Sequence, residues 1–229
     1  MLIKLFAELY YMFLIFLFDL VVKISKFLSN QYTFIWPYLH KSWFDHRFDY
    51  ARGPQNYYWM ERVVYVMREI KRGYRVLDIG CGDGMFDGLF YSQVSKKVDA
   101  IDIDSKAISF AKEKYSPKNV HYYNSDTVPW LSKGNKYDLI IMFVVIYHFD
   151  EVTGQEVLKL VKKSLKDNGI LYGSTPILKS RNLYNSEHKN IFLSERQLKD
   201  FLSKVFDKVT IFTSQWPGGR KECYFECSK

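Results

Sequence analysis

The stretch Val76-Leu77-Asp78-Ile79-Gly80-Cys81-Gly82-Asp83-Gly84 puts three glycines at alternating positions behind an apolar run that carries one carboxylate. Glycines at a strand-to-helix junction let a ligand approach the backbone closely. A dinucleotide fingerprint would read G-x-G-x-x-G, but here the third glycine arrives one residue early, at Gly84, and Met85 holds the expected place. Asp78, inside the strand, would repel a pyrophosphate and attract the ammonium of an amino acid, directly or through water. The loop therefore predicts a nucleoside carrying a cationic amino-acid tail. Asp102, after Val98-Asp99-Ala100-Ile101, supplies a carboxylate able to accept hydrogen bonds from both ribose hydroxyls. Ser125-Asp126-Thr127 supplies another, able to accept from an adenine amino group. Each acid by itself reads equally as the cap of a following helix. The three in this order, together with the glycine loop, form a specific signal.

Such residues need a scaffold that lines them up along one edge, and the chain supplies alternating strands and helices. Gly53 and Pro54 open a helical pattern, with Pro54 suited to the first helical position, and Gly73 closes it. Strands are predicted over Tyr74 to Ile79, Lys97 to Asp102, Val120 to Tyr123, Tyr137 to Phe143 and Ile170 to Ser174. Helices are predicted over Met85 to Val94, Ser105 to Tyr115 and Val152 to Leu165, the last ending in the turn Asp167-Asn168-Gly169. Ser194, with Gln197 three residues on, forms a capping-box pattern for a helix to Val205. Two last strands, Val209 to Thr213 and Glu222 to Cys227, flank Trp216-Pro217-Gly218-Gly219, a turn suited to an antiparallel hairpin. The expected fold is α/β, a Rossmann-like, seven-stranded, mostly parallel sheet with helices on both faces. Ligands bind such sheets at the carboxyl ends of the strands, beside the topological switch point, where the glycine loop falls.

On these motifs the chain, from about Arg52 to its C-terminus, resembles class I S-adenosylmethionine-dependent methyltransferases of the small-molecule type, similar to the ubiquinone-biosynthesis O-methyltransferases. The resemblance implies S-adenosylmethionine as cofactor, with Asp78, Gly80 and Gly82 around its methionine part and Cys81 in the same loop. It further implies Asp102 on the ribose, Ile103 and Asp126 beside the adenine with Thr127 next to them, and Phe143 near the sulfonium. The block Leu165 to Leu171 is similar to the family's fifth-strand motif, although Asn168 stands where a glycine is usual. Asn tolerates left-handed backbone better than most residues, so the departure is compatible with the motif.

Methyl transfer from a sulfonium is an in-line displacement, in which the protein mainly aligns the nucleophile and excludes water. A base is needed only if the acceptor must lose a proton. His148, in Val145-Ile146-Tyr147-His148-Phe149 after the fourth strand, is the first candidate, and His188 the second. Each reads alternatively as a packing or capping residue. Arg181, Tyr184 and Arg220 are candidates for binding an acidic or hydroxylated acceptor. Methyltransferases of nucleobase amino groups carry Asn or Asp, then Pro-Pro and an aromatic, after the fourth strand. Met142-Phe143-Val144-Val145 stands there instead, which disfavours base N-methylation and a nucleic-acid partner.

The 229 residues, 48% apolar and 18% aromatic, suffice for one such domain with some attached structure. Lysine and arginine outnumber aspartate and glutamate by 33 to 25, but Lys106, Lys112, Lys114, Lys159, Lys162 and Lys163 read as solvated helix faces. Cys81, Cys223 and Cys227 suit a reducing, cytoplasmic compartment, and no metal site is expected. Residues 1–30 are predicted to form an amphipathic helix with Lys4, Glu8, Asp19, Lys23 and Lys26 in one stripe. A cleavable signal fits poorly, because Glu8 and Asp19 interrupt the apolar region, and a bilayer span is weakened by the short uncharged run Leu9 to Phe18. An in-plane membrane anchor, docking on a partner protein and packing on the chain's own domain remain open. Residues 31–53, dense in aromatics, form a connector or lid, and residues 54–229 the catalytic domain. The function expected is methyl transfer, O-methylation favoured, to a small lipid-linked or saccharide-containing acceptor. The alternatives are a non-catalytic S-adenosylmethionine-binding scaffold or regulator, a tRNA-nucleoside methyltransferase and, less favoured still, a nicotinamide-dependent oxidoreductase.

Overall fold

The structure is a computed structural model, describing all residues except 1, 40–42, 44, 49–56, 179–188 and 216–220. The chain begins with a long helix, α1 (Leu2–Ile35), followed by a 3-10 turn at His46–Phe48 and helix α2 (Tyr57–Glu69). Alternation then sets in: β1 (Arg75–Ile79), α3 (Met85–Leu89), β2 (Lys97–Asp102), α4 (Ser105–Lys114), β3 (Val120–Asn124), α5 (Thr127–Leu131) and β4 (Tyr137–Phe143). It continues with α6 (Glu151–Ser164), β5 (Leu165–Pro176), α7 (Glu195–Ser203), β6 (Lys208–Gln215) and β7 (Lys221–Ser228). The seven strands form one sheet in the order β3-β2-β1-β4-β5-β7-β6. β1 to β5 run parallel, while β7 pairs antiparallel with both β5 and β6.

Period-two alternation divides the core into two layers. Leu77, Ile79, Ile140 and Met142 face α5, α6 and α7, whereas Val76, Leu139 and Ile141 face the side of α2 and α4. Along β7, Cys223, Phe225 and Cys227 enter the first layer and Tyr224 the second, so the two cysteines share a face and are buried and free. Polar residues start the helices: Asp104 accepts from the amides of Lys106 and Ala107, Asp150 from that of Thr153 and Ser194 from that of Gln197. The Gln197 side chain returns to the Leu193 amide, one residue before the cap. Lys106, Lys112, Lys114, Lys159 and Lys163 are exposed, as solvated faces require.

Four elements differ from the sequence expectation, the first being α3, which ends at Leu89 and is followed by a 3-10 turn at Tyr91–Gln93 where one helix to Val94 is predicted. The turn expected at Asp167-Asn168-Gly169 belongs to β5, which starts at Leu165 and shifts register against β4 between Tyr137 and Leu139. The bulge depends on Gly169, whose Cβ would come within 3.0 Å of the Tyr137 carbonyl and of Lys166 backbone atoms. α5 was not expected, and α1 continues to Ile35 rather than ending near residue 30. The start of α2 at Pro54 and the hairpin turn Trp216-Pro217-Gly218-Gly219 lie outside the described residues.

Candidate active site

The neighbours of β1 are β2 and β4, so the chain leaves β1 at the switch point of the sheet, and the glycine loop occupies that position. Gly80, Gly82 and Gly84 have φ of 78°, 55° and 73°, a left-handed backbone that other residues adopt only with strain. Two of them have a second constraint. A Cβ on Gly80 would stand 2.4 Å from Val145 Cγ2, and one on Gly84 would meet the Tyr122 ring at 2.6 Å and Ala111 Cβ at 2.7 Å. Gly84 thus closes the packing of loop, α4 and β3, reinforced by the Tyr122 hydroxyl on its carbonyl at 2.8 Å. A Cβ on Gly82 would meet nothing within 4 Å, so the space beside the backbone there is open.

Asp78 points to the same face as Val76, where it meets Asp87 of α3 beneath the loop. Both are buried. Burial pushes the Asp78 carboxyl up to about 7, opposed by its hydrogen bond with Asp87 and assisted by the charge of Asp102. Burial and the neighbouring Asp78 raise Asp87 well above the carboxylate range. The pair therefore holds a proton near neutrality. A carboxyl whose folded pKa lies above its unfolded value stabilises the fold fully below the unfolded pKa of about 3.9, and that contribution is lost as pH rises toward 7. Scanning calorimetry of the ligand-free protein should show the melting temperature falling across this window, and Asp87→Asn should reduce the slope. An unchanged slope in the variant would show that the pair does not hold the proton.

Asp102 accepts from the Gly82 amide at 2.9 Å and the Asp104 amide at 2.8 Å. It holds the glycine loop and leaves the capping of α4 to Asp104. Asp126 makes no side-chain cap on α5 and is exposed, which removes the capping explanation for that acid. Ile103 is exposed at the same edge, whereas Thr127 is buried. Cys81 is half-buried in the loop, and burial together with the surrounding aspartates pushes its thiol well up. Asn124, not singled out from sequence, donates to the carbonyls of Asp102 and Ile103 and so fixes the turn after β2.

At the end of β4, Phe143 is half-buried and Val144 has φ 59°, the one non-glycine with positive φ among the described residues. A β-branched residue in that region is strained, and such strain concentrates at functional sites. Val144 is held by its amide on the Ser174 carbonyl at 2.8 Å. His148 follows on a 3-10 turn, exposed and stacked on Tyr147 with ring centroids 4.3 Å apart. The amides of Lys189 and Asn190 donate to the Tyr147 carbonyl, which brings the chain after residue 188 to this loop. His188, Arg181, Tyr184 and Arg220 lie outside the described residues.

Two further clusters were not legible in the sequence. Arg62 of α2 donates to Glu222 of β7 at 2.6 Å, with both side chains almost fully buried, and Ser174 shares the same carboxylate oxygen at 2.5 Å. The guanidinium lies over Trp59 at 4.4 Å and over Phe143 at 5.7 Å, beside the end of β4. His46 binds Asp83 twice, through its amide at 2.8 Å and Nδ1 at 2.9 Å, and Asp83 also accepts from the Met85 amide. The connector is thereby fastened to the glycine loop. Arg62 and Glu222 lie 160 positions apart, so only the folded sheet brings them together.

The C-terminal ends of β1 to β4 and the turns after them thus carry Asp78, the glycine loop, Asp102, Ile103, Asp126, Phe143 and His148. Comparison with known proteins points the same way. Residues 50–215 match the family model described as a methyltransferase domain. The chain is 29% identical over 111 residues to a ribosomal protein L11 methyltransferase of Dictyoglomus thermophilum, covering 47% of this chain and 34% of that protein. The chain therefore spans about a third of that relative's length. Its fold is similar to that of N-methyltransferase NodS from Bradyrhizobium japonicum WM9 in complex with S-adenosyl-L-homocysteine, with TM-score 0.64, 16% identity, and coverage of 77% of this chain and 88% of that one. A methyltransferase from Archaeoglobus fulgidus gives TM-score 0.62 at 19% identity, covering 81% of this chain and all of the other. The chain belongs to the methyltransferase domain family.

Proposed function

We propose that this enzyme methylates a hydroxyl of a small, lipid-linked or saccharide-containing acceptor near a membrane that residues 1–30 engage. The observation that carries the reading is the glycine loop at the switch point, with open space over Gly82 and its amide on the Asp102 carboxylate. Those features fit the donor. Asp78 in its charged form attracts the donor's ammonium, and Gly80, Cys81 and Gly82 admit the methionine part against the backbone. Asp102 accepts from the ribose, Ile103, Asp126 and Thr127 border the adenine, and Phe143 shields the reacting end. S-adenosylmethionine supplies an electrophilic methyl group on a sulfonium. The remaining work of the chain is alignment, exclusion of water and removal of the acceptor's proton, the last assigned to His148 with His188 as a second base. Residues 31–53 serve as the connector and residues 54–229 as the catalytic domain.

The experiment is calorimetric titration of the full chain with S-adenosylmethionine and, separately, with NAD, repeated on Asp102→Ala. Binding of the first alone, weakened roughly tenfold or more in the variant by loss of a charged hydrogen-bond acceptor, is the expected outcome. Undiminished binding in Asp102→Ala would remove that residue from the donor site. An acceptor screen on the same protein should include amines, because NodS is by name an N-methyltransferase; turnover on amines alone would overturn the hydroxyl assignment.

A further inference from the structure

From Ile3 to Leu28 every residue of α1 is exposed, and the helix first meets the domain at Ser29 and Tyr32. Among the described residues it is the one helix long and apolar enough to cross a membrane. At 100° per residue, Lys4, Glu8, Asp19, Lys23 and Lys26 fall within a stripe about 100° wide, which leaves apolar side chains around the rest of the circumference. An in-plane helix needs a broad polar face for the water side, and this stripe is too narrow to provide one. A partner helix or second copy of the chain would cover one side only. Hydrocarbon covers all of it.

The charges fit that environment. Leu5 to Val22, bracketed by Lys4 and Lys23, measures about 27 Å at 1.5 Å per residue, close to the roughly 30 Å of a bilayer core. Glu8 lies one turn inside Lys4, and Asp19 one turn inside Lys23, so each acid near a boundary has a lysine beside it on the outer side. Both lysines are placed to carry their ammonium groups to the headgroups. Lys23 and Lys26, on the side of the catalytic domain, complement anionic lipid.

We propose that Leu5 to Val22 crosses a lipid bilayer as a single span. The inference rests on the membrane-proximal reading above and sharpens it, because the helix is tied to the donor loop by a short chain of contacts. Tyr32 stacks on Phe48 at 4.1 Å and accepts from the Asp45 amide at 3.2 Å, and the next residue, His46, holds Asp83. Ser29 donates to the Phe48 carbonyl. The site is therefore held at the membrane surface, where it meets the polar headgroup of an acceptor whose apolar part stays in the lipid.

The test is cell-free synthesis of the full chain, with an N-terminal epitope tag, in the presence of sealed vesicles of phosphatidylcholine and phosphatidylglycerol. The chain should remain with the vesicles through an alkaline carbonate wash, and the tag should survive added protease until detergent opens the vesicles. Release by carbonate, or digestion of the tag on intact vesicles, would overturn the span in favour of an in-plane helix. Leu14→Arg, at mid-span, should reduce the carbonate-resistant fraction at least tenfold, while its S-adenosylmethionine affinity stays that of the unsubstituted chain. Retention of the variant would also overturn the span. Failure to insert with normal S-adenosylmethionine binding would refute the span and leave the donor assignment standing.

Discussion

Replacing Arg62 with alanine should lower the stability of the enzyme by about 3–5 kcal/mol, the range for removing one partner of a buried ion pair. The side chains of Arg62 and Glu222 are 2% and 1% exposed, so the carboxylate left behind would not be solvated in place of the guanidinium it loses. Glu222→Gln should also be costly, because it removes the charge facing the guanidinium while keeping the shape of the acceptor. The double variant Arg62→Met with Glu222→Leu should recover much of the loss, since apolar replacement of a whole buried pair is often neutral. Urea unfolding of the four proteins decides the matter. Single-variant losses below about 1 kcal/mol, the value of a surface pair, would show the pair to be solvated. The cluster also borders Phe143, so a stable double variant allows any change in methyl transfer to be separated from folding.

Gly80→Ala should weaken S-adenosylmethionine binding roughly a hundredfold, equivalent to about 3 kcal/mol. Two costs add. The left-handed backbone at φ 78° disfavours any Cβ by about 1–2 kcal/mol, and the contact at 2.4 Å from Val145 Cγ2 forces either the glycine loop or the turn after β4 to move. Adding Val145→Ala should restore the steric part of the affinity and leave the backbone part lost. Gly82→Ala provides the contrast, since it carries the backbone cost at φ 55° with no atom within 4 Å. Calorimetric titrations of these variants would contradict this account if Gly80→Ala bound as tightly as the unsubstituted enzyme.

Much of the sheet was legible because its signals are local. β2 and β4 coincide with their apolar runs, and the glycine loop fell at the switch point because strand alternation alone fixes which edge a strand-to-helix turn occupies. β5 was misjudged at its start for a physical reason. Asp, Asn and Gly in succession favour a turn, but pairing with Tyr137 and the space available only to Gly169 turn the same residues into a bulge. For α1, the uncharged run understated the apolar length, because Glu8 and Asp19 each stand one turn from a lysine. At the site, acids following strands could be found from position alone. Arg62 with Glu222, and His46 with Asp83, could not, since their partners come from distant segments and neither pair follows a local pattern.

Val144 has a wider implication. Its strained backbone, held by Ser174 just after β4, marks a position where thermal robustness and a fixed loop shape favour different residues. Selection of variants for resistance to heat would enrich glycine or asparagine at this position, because both relax the conformation. Selection for turnover would retain the stiff, β-branched residue that holds the turn in one shape, so position 144 would divide a library according to which property was demanded of it.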